Sequence, residues 1–318
     1  MNDGHATKIL VLSGGVGGAK LASGLYAVLP PGDLGVLVNT GDDFTHMGLS
    51  ICPDLDTVTY TLAGVVNPET GWGRAGETWA FMDATAALGG ETWFRLGDKD
   101  LAVHVKRTRR LRAGESLSAV TAELCRRFGI AAEVMPMSDD PVATVVDTDE
   151  GTLAFQDYFV RRRCEPRVRG FRFQGVERAR PNPRALAWLD DPRLAAAVIG
   201  PSNPFVSIAP ILAVPGLREA LARRRVPLIA VSPIVGGQAI KGPAAKMMDE
   251  LGIRPSAAWV AEQYGALLDG FVIDAVDRDL AGRIKGPRVL VAQTVMRDAT
   301  DRARLAGEIL AFAQELRR

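Results

Sequence analysis

The sequence predicts an α/β protein: a Rossmann-like parallel sheet flanked by helices, with an inserted helical and antiparallel β subregion. Three observations predict it. Short apolar runs recur along the chain, and polar loops rich in glycine, proline or aspartate follow them. The first two runs enclose a helical repeat, which is a β-α-β opening of the kind that closes into parallel sheets. The chain of 318 residues is 47% hydrophobic, which is enough for one large core.

The elements follow in order. Lys8-Ile-Leu-Val-Leu12 is a continuous apolar run, as in a strand buried on both faces. Leu21, Leu25 and Val28 then recur at helical spacing until Pro30-Pro31-Gly32 stops the helix. Gly35–Val38, Ala196–Ile199, Pro227–Val231, Phe271–Asp274 and Arg288–Ala292 read as further strands. Helices are expected at Glu115–Phe128, around Ser256–Leu268 and at Asp301–Arg318. Ala143–Val146, Thr152–Phe159 and Val168–Gln174 carry alternating or β-branched residues and are expected to extend the main sheet in antiparallel fashion. The expected organisation is one α/β domain over 7–318, with the inserted subregion at about 60–190.

Composition narrows the function. With 38 basic and 37 acidic side chains the formal charge is +1, which gives no support for a nucleic-acid partner. The run Arg161-Arg162-Arg163 reads as a solvated face. Cys52, Cys125 and Cys164 are scattered and are expected to be reduced thiols, mostly buried. His5, His46 and His104 are too dispersed for a histidine-rich metal centre. The first residues lack the apolar stretch of a signal peptide, and no run is long enough to cross a membrane. The expectation is a soluble cytoplasmic protein, with a homodimer possible.

In open parallel sheets ligands sit beyond the carboxyl ends of the strands, and the polar loops fall there. Ser13-Gly14-Gly15-Val16-Gly17-Gly18-Ala19-Lys20 is a glycine turn leading into a helix. Such a turn lets backbone approach a phosphate, and the helix end offers free N–H groups. It is neither a Walker A loop nor the strict dinucleotide fingerprint, because Lys20 stands where the third glycine would be. Four carboxylates follow within fifteen residues, in Asn39-Thr40-Gly41-Asp42-Asp43 and Cys52-Pro53-Asp54-Leu55-Asp56-Thr57. They suit a hard cation with phosphate, or a ribose, while Asp54 and Asp56 also suit the cap of a helix. Leu96–His104 is either an exposed turn or part of the site. The loops at Met137–Pro141, Gly200–Pro204 and Ser232–Pro243 combine small hydrogen-bonding side chains with rigid backbone.

The segments SGGVGGAKL (13–21), NTGDD (39–43), CPDLDTVTYTLAG (52–64), LGDKDLAVH (96–104), MSDDPV (137–142), FQDYFV (155–160), GPSNPFVSI (200–208) and SPIVGG (232–237) resemble, in order, the 2-phospho-L-lactate transferases (the CofD/FbiA family). The resemblance implies a role in the biosynthesis of the deazaflavin coenzyme F-420. There, a GDP-activated phospholactate or phosphoenolpyruvate gives its acid phosphate to 7,8-didemethyl-8-hydroxy-5-deazariboflavin and releases GMP, with Mg²⁺ as cofactor. It implies phosphate and nucleotide binding by Gly14, Gly15, Gly17, Gly18, Lys20, Ser202, Asn203 and Ser232. Asp54, Asp56 and Lys99 would face the deazaflavin, with Asp54 and Asp56 also the metal ligands. Lys99 stands where the family often carries arginine, so the charge is kept and the planar fork is lost.

Such a transfer needs two substrates held in line more than it needs a covalent nucleophile. Asp56 is the expected proton acceptor, with Asp54 and Asp43 next. The alternative is a nucleotide-sugar-binding regulatory protein of the same superfamily, which would share the glycine loop but release no GMP.

Overall fold

The computed structural model describes residues 7–318; His5 and the residues around it lie outside the described part. The strands are β1 (Lys8–Ser13), β2 (Leu34–Val38), β3 (Phe44–His46), β4 (Leu49–Ile51), β5 (Glu133–Pro136), β6 (Ala143–Thr148), β7 (Gly151–Ala154), β8 (Val168–Gln174), β9 (Leu194–Ile199), β10 (Leu228–Val231), β11 (Ile234–Val235), β12 (Gln238–Ala239), β13 (Gly270–Asp274) and β14 (Arg288–Ala292). The helices are α1 (Gly15–Val28), α2 (Pro53–Leu62), α3 (Ala80–Ala87), α4 (Asp98–Arg112), α5 (Leu117–Arg127), α6 (Pro183–Leu189), α7 (Ala209–Ala213), α8 (Leu217–Arg223), α9 (Ala244–Glu250), α10 (Ala257–Tyr264) and α11 (Ala299–Leu316).

Seven strands form a sheet in the order β14-β13-β10-β9-β1-β2-β5, and every pairing in it is parallel. The apolar runs form its strands because both faces are covered. Along β1, Leu10 and Leu12 point into one layer with Trp188, Leu217, Met248 and Val260. Ile9 and Val11 point into the other with Leu21, Leu25, Leu55 and Ile309. A period-2 backbone buried on both sides needs an apolar residue at each position, so the run is continuous. From β1 the chain builds outward through β2 to β5, then returns to build β9, β10, β13 and β14 on the other side. The order therefore reverses between β1 and β9, and a crevice opens there at the carboxyl ends.

The expected antiparallel extension is corrected. β6 pairs antiparallel with β7 and β8 in a separate three-stranded sheet that does not join the main one. One face of it closes a small core of its own, with Val146 and Val168 against Phe155, Tyr158, Val206 and Met247. The strand expected over Thr152–Phe159 ends at Ala154, and the backbone then coils into a helical turn with a π-type stretch at Asp157–Arg161. β5 of the main sheet falls inside the stretch 60–190, so the extra elements leave and rejoin the sheet around it. All three cysteines are buried and free. Arg161 and Arg162 pair with Asp157 and Glu150 at the surface. No single helix among the described residues is long and apolar enough to cross a membrane.

Candidate active site

At the reversal point lies a cavity of about 640 Å³. Its walls come from the loop after β1, the N-terminus of α2, the first turns of α4, the helical turn after β7, the loop after β9 and the segment 232–244.

The glycine loop is shaped by close approach. A Cβ on Gly17 would sit 2.2 Å from the Pro201 carbonyl oxygen, and one on Gly14 would sit 2.6 Å from Ser207 Cβ. Gly18 is wedged between the Ser13 and Ser202 hydroxyls. Gly15 differs: it takes a left-handed φ of +63° and has open space around it. Packing therefore explains three of the glycines, and the fourth leaves the backbone bare towards the cavity. Lys20 lines the cavity and donates from Nζ to the Met296 carbonyl at 2.8 Å.

Ser202 and Ser232 are buried and serve their own loops. The Ser202 hydroxyl accepts from Gly14 N at 3.2 Å and donates to Gly14 O at 2.8 Å. The Ser232 hydroxyl exchanges hydrogen bonds with the Ile234 backbone. Asn203 accepts from Phe205 N through its side chain. All three line the cavity, and their side chains set its contour.

The carboxylates divide into two groups. In the first, Asp54 accepts from Gly15 N at 2.7 Å and from Asn39 Nδ2 at 2.9 Å, so it joins the N-termini of α1 and α2 to the end of β2. Burial raises its pKa to about 6 against the pull of those two donors. Asp42 lines the same wall, with a buried Oδ1 that has no hydrogen-bond partner. Burial, then the Asp54 charge, pushes its pKa well above the usual carboxylate range. Asp43 is raised in the same direction by burial and also has an unpartnered Oδ1.

In the second group, Asp56 is gripped by both terminal nitrogens of Arg107, a fully buried guanidinium. His104 Nδ1 lies 3.7 Å from Asp56, and its Nε2 lies 3.3 Å from Asp100. Asp100 in turn accepts from the Tyr60 hydroxyl. Despite burial, which opposes it, hydrogen bonding and charge from His104 hold the Asp100 carboxyl below its ordinary value. Asp56, Asp100 and His104 have ligand atoms within 4.8 Å of one another. The guanidinium already compensates this group and its charge also acts on Asp43, whereas the orphaned oxygen of Asp42 has no cation beside it.

Arg107 lies outside every motif marked in the sequence; Asn39, Tyr60 and Asp100 fall inside marked segments but were given no role of their own, and His104 was weighed as a structural residue. Asp100, His104 and Arg107 reach Tyr60 and Asp56 because α4 turns its buried face to α2, while Asn39 follows β2 and bonds Asp54. Lys99 is exposed on the opposite side of α4, outside the cavity wall, with Nζ 3.3 Å from the Ala75 carbonyl. The charges around it mostly serve helix ends: Asp98 accepts from the Ala80 and Phe81 N–H groups, and Glu77 from Lys99 N and Asp100 N. Aromatic side chains also line the cavity: Trp93, Phe94, Phe155 and Phe159, with Trp72 next to Gly71, which packs on Val16 of the glycine loop. Phe155 and Phe159 stack at 5.4 Å with their planes 8° apart.

A cleft at the switch point of the sheet, lined by a glycine turn, buried carboxylates and flat aromatic side chains, defines a Rossmann-like protein that takes its ligands there. Solved structures of a UPF0052-family protein, BH3568 from Bacillus halodurans, share this fold: one superposes with a TM-score of 0.62 over 96% of this chain and 99% of its own, at 13% identity. The chain belongs to the 2-phospho-L-lactate transferase CofD family, whose model matches residues 9–306. It is 44% identical to the phosphoenolpyruvate transferase of Streptomyces coelicolor over 98% of this chain and 99% of that one. It is 40% identical to the 2-phospho-L-lactate transferase of Methanosarcina mazei over 96% of this chain and all of that one. The protein is therefore a transferase of this family.

Proposed function

We propose that the protein transfers a phospholactyl or phosphoenolpyruvyl group from its GDP-activated form to 7,8-didemethyl-8-hydroxy-5-deazariboflavin, releasing GMP, in coenzyme F-420 biosynthesis in the cytoplasm. The observation that carries this reading is the mixed lining of one cleft, which brings together the first turn of α1 with Lys20, buried carboxylates and several flat aromatic side chains. The diphosphate suits the helix N-terminus with Lys20, and a planar tricyclic ring suits the aromatic side chains.

In the reaction, the terminal ribityl oxygen of the acceptor forms a bond to the phosphorus that carries the three-carbon acid. The anhydride bond from that phosphorus breaks, and its electron pair leaves on GMP. The hydroxyl proton passes to a carboxylate. Asp56 lines the cavity and is held in one orientation by Arg107, so it is placed to orient that hydroxyl and accept its proton. The Gly15 N–H is held by Asp54, so the N–H groups of Val16 and Gly17 in the first turn of α1 take the negative charge that develops on the diphosphate.

Mg²⁺ fits the first carboxylate group. Asp42 and Asp54 are buried close enough for the charge of one to raise the pKa of the other, and Asp42 Oδ1 is orphaned. A hard cation held there with phosphate oxygens would neutralise charge on the transferred group. Asp56, compensated by Arg107, is the weaker of the two metal ligands expected from the sequence. Lys99, exposed and off the wall, is the weakest of the acceptor contacts.

The test offers the purified protein the deazaflavin, Mg²⁺ and both GDP-activated acids together, and analyses the products by mass spectrometry. A deazaflavin carrying one of the acids, with stoichiometric GMP, is the expected result and names the donor. Tight binding of a nucleotide sugar with no product from either acid would replace this reading with the regulatory one.

A further inference from the structure

Lys20 and Lys241 line the cleft without acidic partners, and the charge of a third cation, Arg302, acts on Lys20. Lys20 is flanked by Arg302 of α11 and by Lys241 of the segment 236–243. Burial first, then repulsion from those two neighbours, lowers the Lys20 pKa. Lys20 is bonded to a backbone carbonyl, and Arg302 Nε is buried with no partner. Among the described residues none of the three forms an ion pair with a carboxylate, while the next arginine on α11, Arg304, has two acidic neighbours. Gathering like charges in one place is unfavourable unless an anion joins them.

Lys241 also touches a second element. Its Nζ donates to the Thr70 carbonyl at 2.6 Å. Thr70 sits at the tip of a compact hairpin, closed by the Val66–Arg74 bridge and by hydrogen bonds between Asn67 and Gly73 and between Asn67 and Gly71. This strap leans on the glycine loop: a Cβ on Gly71 would meet Val16 Cγ1 at 2.7 Å. Thr70, Trp72 and Gly73 line the cleft, and Trp72 is 55% exposed. An ammonium has three donors, so Lys241 can hold Thr70 O and an anionic oxygen together.

We propose that Lys241 is a second cation of the diphosphate site and that, through Thr70, it ties occupancy of that site to the 67–73 strap. The proposal rests on the nucleotide reading above. The anion at the glycine loop recruits an Nζ donor from Lys241, the same ammonium secures the strap tip, and Trp72 is fixed in the cleft wall beside that loop. Donor binding then completes the wall against which the acceptor docks.

The test titrates the full-length protein with GDP in the presence of Mg²⁺, following tryptophan emission and hydrogen exchange over residues 67–73. Wild-type, K241M, K241R and W72F proteins are compared; Lys241 is exposed, so folding is not at stake. GDP is expected to slow exchange in the strap and to shift an emission component that W72F lacks. K241M should bind GDP about tenfold more weakly, as for the loss of one charge-assisted hydrogen bond. At saturating GDP it should leave the strap unprotected, and K241R should restore most of both effects. K241M binding within twofold of wild type would overturn the assignment of Lys241 while leaving the nucleotide reading intact. Weaker binding with full strap protection would overturn the coupling. A wild-type protein that binds no GDP would overturn both readings.

Discussion

Asp54 and Asp56 stand two residues apart in sequence and have opposite electrostatic settings. Asp54 has only neutral donors, and burial holds its pKa at about 6. Below the ordinary carboxylate value both the folded and the unfolded chain keep this proton. As pH rises towards 6 the unfolded chain ionises first, stability falls, and above 6 the cost is fully present. A divalent cation binds the ionised form and offsets that cost. Mg²⁺ should therefore raise the melting temperature clearly at pH values above 6 and progressively less below it, as scanning fluorimetry would show; an effect independent of pH would remove Asp54 from the metal site. Asp56 has Arg107. Arg107→Met would strand a buried carboxylate and cost about 3–5 kcal/mol in urea unfolding, most of it recovered in the double variant with Asp56→Asn. Asp56→Asn alone should lower kcat by 100-fold or more, on the order of one general-base contribution. Near-normal turnover at saturating Mg²⁺ would show that Asp56 is not the proton acceptor. The sequence marked both aspartates, but nothing in it marked Arg107, because an arginine among Arg109, Arg110 and Arg112 reads as surface charge until the fold buries it.

The elements were legible where burial is apolar. The main-sheet strands expected from continuous apolar runs are present, with ends that differ by at most two residues. α4 was missed for the opposite reason: its buried positions are Val103, His104, Arg107 and Thr108, a mostly polar face that a search for apolar spacing passes over. β5 was missed because Glu133-Val-Met-Pro136 is short and ends in proline, which an edge strand tolerates. The loop between β1 and α1 was legible as a glycine turn, and its glycines are not equivalent. Gly17→Ala would force the Pro201 backbone away, so it should abolish nucleotide binding and lower the melting temperature. Gly15→Ala meets no atom and carries only left-handed strain of about 1–2 kcal/mol, so the fold should survive. Calorimetric titration of both variants with GDP would rank them, and equal losses would contradict the close approach of Gly17 to Pro201.

At the scale of the whole molecule, the reversal of strand order between β1 and β9 gathers into one cleft segments that lie up to about 280 residues apart in the chain, from Gly14 to Met296. The sequence showed the loops and their likeness to one family. It could not show which faced each other, because that depends on the return of the chain across β1. The continuous apolar layers on either side of the sheet make the main body one cooperative unit, so calorimetric unfolding should give one transition, and a separate low-temperature peak would assign independent stability to the three-stranded sheet. The buried thiols supply a finer clock. Cys52 caps α2 beneath the cleft, Cys125 lies in α5, and Cys164 lies behind the three-stranded sheet. A thiol dye reaches each only when its own region breathes, so three labelling rates time three openings in one unmodified chain, and bound nucleotide should slow the first while the other two keep their pace.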